Sequence, residues 1–388
     1  MNKKQIVCIS THHWHGAWFR KQHFMSRFAE KGYEIIYIDP YYSLLRKLLN
    51  DMKSLVKLKV NNVLLIKEQD NILVLKPPLG IPLSRTIGLL NRINCYYLAK
   101  RLNIILKRLN FDNYILWLYD PSCVLMLDHL NYGKLVFDLV DDIPSGFKKN
   151  SRKYKLIKRN IEIAIKKSDL FLTTAWTLFN DYRNMAVHSK AYWIPNGYEP
   201  KIFSELRYEI PFDLRMIKHP IIGFHGALFK YLDYNLIKFL IKKNADKSFV
   251  FLGDLKKEAR KKWEKIIKYE NVFWLGNISQ QNIPKYLSHF DVCINPFKVD
   301  KLSRSVNPLK VYECLACKKA VVSVRMESLE KESIAKFILF ANNYDEFNKL
   351  IDVAIKTGSV KICKKILKKY SWDHLFSRVY HLTKNILK

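Results

Sequence analysis

The chain has 388 residues, 49% hydrophobic and 26% charged, a balance that excludes an intrinsically disordered polypeptide and supplies enough apolar surface for two buried cores. Its 67 Lys and Arg against 35 Asp and Glu give a net charge of +32, which attracts polyanions such as phosphorylated substrates, anionic lipid or nucleic acid. No apolar run reaches the roughly 18 residues of a membrane-spanning helix and the opening apolar stretch is too short for a signal peptide, so the chain is expected in the cytoplasm; seven cysteines, an odd number without framework spacing, fit a reducing compartment.

Strand-like runs at Gln5 to Ser10, Glu34 to Ile38, Ile72 to Leu75, Tyr114 to Leu118, Lys134 to Leu139, Leu170 to Thr173 and Tyr192 to Ile194 alternate with helical patterns, which predicts a parallel, doubly wound α/β sheet. Two stretches between them, Ser43 to Val60 and Arg85 to Phe111, mix apolar and basic residues at helical spacing. Each fits either a helix packed on the sheet or one lying on an anionic membrane surface. Residues 196–219 are rich in proline and charge and poor in periodicity, the composition of a linker. A second series of strands follows at Ile221 to Phe224, Ser248 to Leu252, Val272 to Leu275, Val292 to Ile294, Ala320 to Val324 and Phe337 to Phe340. The division is therefore a first domain over 1–195, the linker, a second domain over 220–370 and a final helix within 371–388, where Leu375, Val379, Leu382 and Ile386 recur near helical spacing.

The densest signal is Asn307 to Val324. Asn307 is a good N-cap type, Pro308 suits a first helical position, and Leu309, Tyr312, Leu315 and Ala316 form an apolar stripe ahead of a buried strand. The first amides of such a helix have no intrahelical partners and carry the positive end of its dipole, so a phosphate is stabilised there. Lys310 adds a full charge and Glu313 a carboxylate able to accept two hydroxyl hydrogen bonds, a set that suits a ribose diphosphate. The same residues also fit an ordinary amphipathic helix with Lys310 solvated and Glu313 capping its own N-terminus. Cys314 and Cys317 make one isolated C-x-x-C, more consistent with core packing than with zinc.

This segment resembles the P-x-K-x-x-E-x-x-A donor signature of GT-B glycosyltransferases, the family that includes bacterial enzymes building capsule, teichuronic acid and lipopolysaccharide. His12 to Pro40, Tyr114 to Ser122, Lys134 to Gly146, Trp193 to Phe203 and Pro220 to Ile237 resemble further family segments in the same order. The resemblance implies two Rossmann-like domains facing across a cleft, with the last helix returning to the first domain. It implies transfer of a sugar from a nucleotide diphosphate sugar to an acceptor hydroxyl, with a glycan or polyprenyl-diphosphate-linked acceptor, no cofactor and no obligatory metal. The protein would then sit at the inner face of the plasma membrane. Many retaining members carry two glutamates eight residues apart; here Ser305 replaces the first, and Lys318-Lys319-Ala320 stands where Gly-Lys-Pro is common, so retention is implied but the stereochemistry stays open.

On the same resemblance, Gly16 leaves room for the donor or acceptor and Arg20 points into the cleft. Gly226 and Lys230 approach the donor phosphates, Asn277 with Gly253 and Gly276 walls the base pocket, and Asn307, Lys310 and Glu313 hold the ribose diphosphate. Asp141 and Asp142 end a strand where an open parallel sheet presents reactive groups, and one of them is a candidate general base; a turn role is the competing reading. His12, His13 and His15 lie in a strand-end loop without acidic or Cys neighbours in sequence, which favours donor or acceptor contact over a metal. Charge and 22 tyrosines also fit a nucleic-acid binder, but no RNP, KH or helix-turn-helix signature occurs, so no nucleic acid is expected. No G-x-G-x-x-G follows the first strand, against a nicotinamide dehydrogenase. A catalytically inactive GT-B scaffold is the remaining alternative.

Overall fold

The computed structural model describes residues 4–41, 64–188, 190–203, 208–301 and 303–387; the basic stretch from 43 to 60 lies outside them. The chain divides into two compact units, Met1–Thr174 with Leu178–Ile194 and Phe376–Lys388, and Ala175–Thr177 with Pro195–Leu375.

The first unit is built on an eight-stranded sheet of β1 (Gln5–Ile9), β2 (Glu34–Ile38), β3 (Leu64–Gln69), β4 (Ile72–Lys76), β5 (Ile115–Leu118), β6 (Lys134–Leu139), β7 (Leu170–Thr173) and β8 (Lys190–Trp193) in the order β3-β4-β2-β1-β5-β6-β7-β8. The central strands are fully buried, as expected where helices cover both faces of a parallel sheet. All pairings are parallel except that of β3, which runs antiparallel to β4 after a two-residue turn at Asp70 and Asn71. This strand was missed in the sequence because LLIKEQ lacks strict alternation; its signal was the Asp-Asn pair, residue types that favour turns. Helix α1 (Arg20–Glu30) follows β1, α2 (Gly88–Arg108) precedes β5, and α3 (Arg152–Lys167) is capped by the Ser151 hydroxyl. The α2 helix buries Asn91, Asn94, Cys95, Leu98, Ala99, Leu102 and Leu106, while Leu89, Ile93, Tyr96 and Ile104 stay exposed beside Arg92 and Lys100.

The second unit holds a six-stranded parallel sheet of β9 (Ile221–His225), β10 (Ser248–Leu252), β11 (Val272–Trp274), β12 (Val292–Asn295), β13 (Ala320–Val324) and β14 (Ile338–Ala341), ordered β11-β10-β9-β12-β13-β14. Helix α4 (Tyr234–Lys243) follows β9 and is capped by Asp233, which accepts from the amides of Asn235 and Leu236; α5 (Leu309–Ala316) lies between β12 and β13, and α6 (Tyr344–Thr357) follows β14 under an Asn343 cap. In both sheets the strand order reverses beside a central strand, β1 in one and β9 in the other. Ligands of open α/β sheets bind at such switch points, outside the carboxyl ends of the strands.

The last helix, α7 (Trp372–Ile386), returns to the first unit as the resemblance implied, its residues from Phe376 onward clustering there. Aromatic burial drives this. The Phe376 ring lies 4.9 Å from that of Phe28 and 6.4 Å from that of Phe24, and Tyr380 lies 6.1 Å from Phe28. Such tilted and edge-on pairs contribute about 0.5–1.5 kcal/mol each beyond the area they bury.

Lys318, at the position where the resemblance implied Gly, adopts φ 56°, a left-handed conformation that is strained for a residue with a Cβ. Replacing Lys318 by Gly is expected to stabilise the protein by about 1 kcal/mol, seen as a higher urea midpoint with an unchanged slope.

Candidate functional site

In the first unit, the carboxyl ends of β1, β2 and β6 gather a set of charged and imidazole side chains. The β1 to α1 loop turns at Gly16, whose φ of 129° is a glycine conformation; no atom lies within 4 Å of where a Cβ would stand. The backbone conformation alone calls for glycine at this position. His13 Nδ1 lies 2.9 Å from Asp39 Oδ2 and His15 Nε2 lies 2.9 Å from Glu68. The acidic partners missing from the local sequence thus arrive from the end of β2 and from β3, one for each histidine.

Arg20 departs from expectation. It is the first residue of α1, only 2% exposed, and its guanidinium donates to Asp138 Oδ2 at 2.8 Å and to the Ile194 carbonyl at 2.6 Å. It is a structural ion pair inside the first unit. The next residue, which sequence reasoning overlooked, is the one that meets the histidine loop. Lys21 is equally buried, with Nζ 3.1 Å from His12 Nδ1 and 5.0 Å from the centre of the Tyr119 ring. Desolvation pushes its pKa down to about 8 against the opposing charges of Asp141 and Asp138, and burial beside Lys21 pushes His12 down to about 3. His12 is thus neutral at neutral pH. With the Lys21 ammonium donating to Nδ1, its proton resides on Nε2, which becomes the donor. The two aspartates differ in their surroundings: Asp142 accepts a hydrogen bond from the Ser145 hydroxyl in a turn, whereas desolvation pushes the Asp141 carboxyl up against the Lys21 charge, and Asp141 is in turn the leading charge opposing the shift of Lys21.

In the second unit, three glycine-bearing loops stack at the carboxyl ends of β9, β10 and β11. The Gly226 amide donates to the Leu252 carbonyl at 2.8 Å and the Gly253 amide to the Gly276 carbonyl at 2.6 Å. Gly253 has φ 141°, and a Cβ there would stand 2.1 Å from the Gly226 oxygen, so no side chain fits. A Cβ on Gly226, at φ 125°, would come within 3.1 Å of Lys310 Nζ. Lys310 lies in the first turn of α5. Its ammonium lies 4.1 Å from the centre of the Phe224 ring and 4.8 Å from that of Phe297, and among the described residues it has no carboxylate in ion-pair range. Desolvation pushes its pKa down to about 7, with Cys314 and Glu313 opposing.

Glu313, one turn on, is committed on one side: its Oε2 lies 2.8 Å from Nε2 of His225, the final residue of β9, which sequence reasoning did not single out. Asn307 is not the cap expected of it. The cap position belongs to Pro308 and has no side-chain hydrogen bond, while Asn307 is buried and accepts from the Asn196 amide at 2.8 Å. Its Nδ2 donates to the Tyr312 hydroxyl at 2.7 Å and to Glu332 at 2.6 Å. Asn307 thus fastens the loop ahead of α5 to the chain entering this unit. Burial pushes Glu332 up to about 8 against its hydrogen bonds from Tyr312 and Asn307. Ser305, at the position of the missing glutamate, is also buried and accepts from the Thr177 hydroxyl at 3.1 Å. Lys230 is exposed, 5.1 Å from the Tyr231 ring, and Asn277 is exposed in an open recess with Phe212, Lys285 and Tyr286.

These arrangements coincide with a recognised domain. Residues 219–356 match the family model of the glycosyl transferases group 1. The Bacillus subtilis protein TuaH, named as a teichuronic acid biosynthesis glycosyltransferase, is 24% identical over 233 residues, which are 57% of this chain and 58% of TuaH. The match therefore spans a little over half the length of that relative. Among solved structures, sucrose-phosphate synthase from Thermosynechococcus elongatus superposes with a TM-score of 0.70 at 12% identity, covering 99% of each chain. A glycosyltransferase from Rickettsia africae does so at 0.65 and 16% identity over 100% of each, and Anabaena HepE, solved in complex with UDP and glucose, at 0.63 and 12% over 98% of this chain and 100% of its own. The chain has the GT-B fold, and the stretch that matches the glycosyl transferases group 1 model lies within its second unit.

The two basic residues predict opposite stability effects. Arg20→Ala leaves Asp138 buried without its partner and is expected to cost about 3–5 kcal/mol. Lys310→Met removes a desolvated ammonium and is expected to raise stability by roughly 1 kcal/mol. Because the folded pKa of Lys310 is depressed, its destabilising effect is complete below pH 7 and fades as pH rises toward the unfolded value. Urea melts at pH 6 and pH 9 should show a larger gain for Lys310→Met at the lower pH.

Proposed function

We propose that the protein transfers a sugar from a nucleotide diphosphate sugar to a hydroxyl of a lipid-linked glycan in cell-surface polysaccharide synthesis, working at the anionic inner face of a membrane. The observation that carries the reading is Lys310: an ammonium held against two aromatic rings at the start of a helix, with no carboxylate in ion-pair range among the described residues, beside a loop whose glycine a Cβ would crowd. A diphosphate supplies the missing charge. As the glycosidic bond breaks, negative charge grows on the leaving diphosphate and the sugar gains oxocarbenium character. The Lys310 ammonium and the α5 amides then stabilise the transition state more than the ground state, with Lys230 joining from the exposed loop. The free side of Glu313 takes the ribose hydroxyls while His225 orients the carboxylate.

On the acceptor side, Asp141 takes the hydroxyl proton and His12 donates through Nε2 to a sugar or phosphate oxygen. The leaving diphosphate is neutralised by these cationic and amide groups, so turnover requires neither a metal nor another cofactor, and retention of the anomeric configuration follows from the family resemblance. Several features favour a lipid-linked acceptor and a capsule, lipopolysaccharide or teichuronic acid context: the net charge of +32, the exposed apolar and basic face of α2, and the likeness to TuaH. Among the described residues no helix is long and apolar enough to cross a membrane, so attachment on this reading is peripheral.

Incubation with UDP and GDP sugars should release the nucleoside diphosphate at a rate unchanged by a chelator. Lys310→Ala is expected to lower turnover by about 100-fold, the loss of one charge-assisted contact in a water-poor site. Glu313→Ala is expected chiefly to weaken nucleotide binding, by about tenfold. Wild-type affinity and turnover in both variants would remove the assignment. Nucleotide affinity should also fall between pH 7 and pH 9 as Lys310 loses its proton, and this dependence should vanish in Lys310→Met. Cosedimentation should favour anionic over neutral vesicles.

A further inference from the structure

The segment that leads into the sheet of the second unit presents an aromatic surface to solvent. Its Leu214 and Ile217 are packed in the core, whereas Phe212 is 84% exposed. Two hydrogen bonds fasten this segment to the chain after β11: the Tyr286 hydroxyl donates to Asp213 Oδ2 at 3.1 Å, and His289 Nε2 donates to the Tyr208 carbonyl at 3.1 Å. Between the segment and the short helix Ile283–Leu287 opens a recess of about 650 Å³. Ligand sites typically measure about 300–1,000 Å³.

Three kinds of group meet on its walls. Tyr208, Phe212 and Tyr286 supply flat apolar rings, and Asn277 and Asn282 supply side-chain amides that donate and accept at once. Arg215 and Lys285 supply positive charge. The Arg215 guanidinium lies 5.8 Å from the centre of the Phe212 ring, and neither cation has a carboxylate in ion-pair range among the described residues. Glu209 is the single carboxylate among the residues that line the recess. Neither Lys310 nor Glu313, on which the proposed donor binding rests, lines it.

Each group rejects a simpler occupant. A small inorganic anion would use the cations and leave the rings in water, while an apolar ligand would leave the amides and cations unmatched. A sugar ring has a C–H face that covers an aromatic ring and an edge of hydroxyls that donate and accept, as the asparagine amides do. Carboxylates carried on such sugars would pair with Arg215 and Lys285. The recess is open to solvent, so a chain can leave it at both ends.

We propose that this recess binds an internal stretch of an acidic glycan, a chain whose sugars carry carboxylates. The assignment rests on the polysaccharide reading of the protein and names the chemical class of its glycan. On this assignment the second unit holds the polymer itself in addition to the sugar donor.

Calorimetric titration of the full-length protein with hexagalacturonate, a hyaluronan hexasaccharide, maltohexaose and hexathymidylate at one fixed salt concentration tests this. At least one of the two uronate chains should bind about tenfold more tightly than neutral maltohexaose. Phe212→Ala, at an exposed ring, and the double variant Arg215→Glu with Lys285→Glu should each weaken that chain at least fivefold and leave UDP affinity unchanged. Lys261→Glu, an exposed lysine outside the recess, should change it less than twofold. Uronate chains that bind no better than maltohexaose, or that lose as much affinity in Lys261→Glu as in the recess variants, overturn the proposal. Tighter binding of hexathymidylate that is lost in the same recess variants also overturns it, in favour of a nucleic-acid site. UDP separates the two readings: uronate binding without nucleotide binding removes the transferase reading and leaves the recess assignment standing, and nucleotide binding without uronate binding does the reverse.

Discussion

On the proposed reading, the second unit's function depends on the Lys310 ammonium, held against the rings of Phe224 and Phe297 with no carboxylate in ion-pair range among the described residues. A protein optimised only for stability would replace it with a hydrocarbon side chain, because a desolvated charge without a partner lowers stability. The nearest carboxylate, Glu313, is turned toward His225, and the neighbouring backbone is glycine at φ 125°. Charge, helix amides and an open backbone therefore converge on one small region. Only an anion satisfies all three.

The first unit treats its buried cations differently. Arg20 pairs with Asp138, donates to the Ile194 carbonyl and acts as a strut between α1 and the sheet. Lys21, its neighbour in sequence, meets a neutral imidazole and an aromatic ring, with Asp141 as the leading nearby charge. One turn of helix thus carries a cation used for folding and a cation left available. The difference lies in which elements lie opposite each residue, since the chemistry of the side chains is similar.

That contrast explains what was legible in the sequence. Period and composition located the parallel strands well: Glu34–Ile38, Lys134–Leu139, Leu170–Thr173, Ser248–Leu252 and Ala320–Val324 have the expected bounds, because buried parallel strands are continuous apolar runs. Helix α5 and its lysine and glutamate were legible as an apolar stripe at helical spacing ahead of a buried strand. Partnerships between distant residues were not. Nothing within 30 residues of Arg20 announces Asp138, nothing near Glu313 announces His225, and Asn307 looked like a cap because that is what asparagine does locally; its buried bonds to Asn196, Tyr312 and Glu332 exist only once the unit has closed. Motif reasoning ranked Arg20 over Lys21 on residue type, whereas burial and partner decide the ranking.

The central claim is that Lys310 carries a strongly depressed pKa while awaiting an anion. Nuclear magnetic resonance of the lysine ε-carbons, with Lys310→Arg to assign the signal, measures it directly. The account predicts a midpoint near pH 7 for the free protein and a rise of more than one unit when UDP is added. A midpoint near the ordinary lysine value, unmoved by UDP, would contradict it.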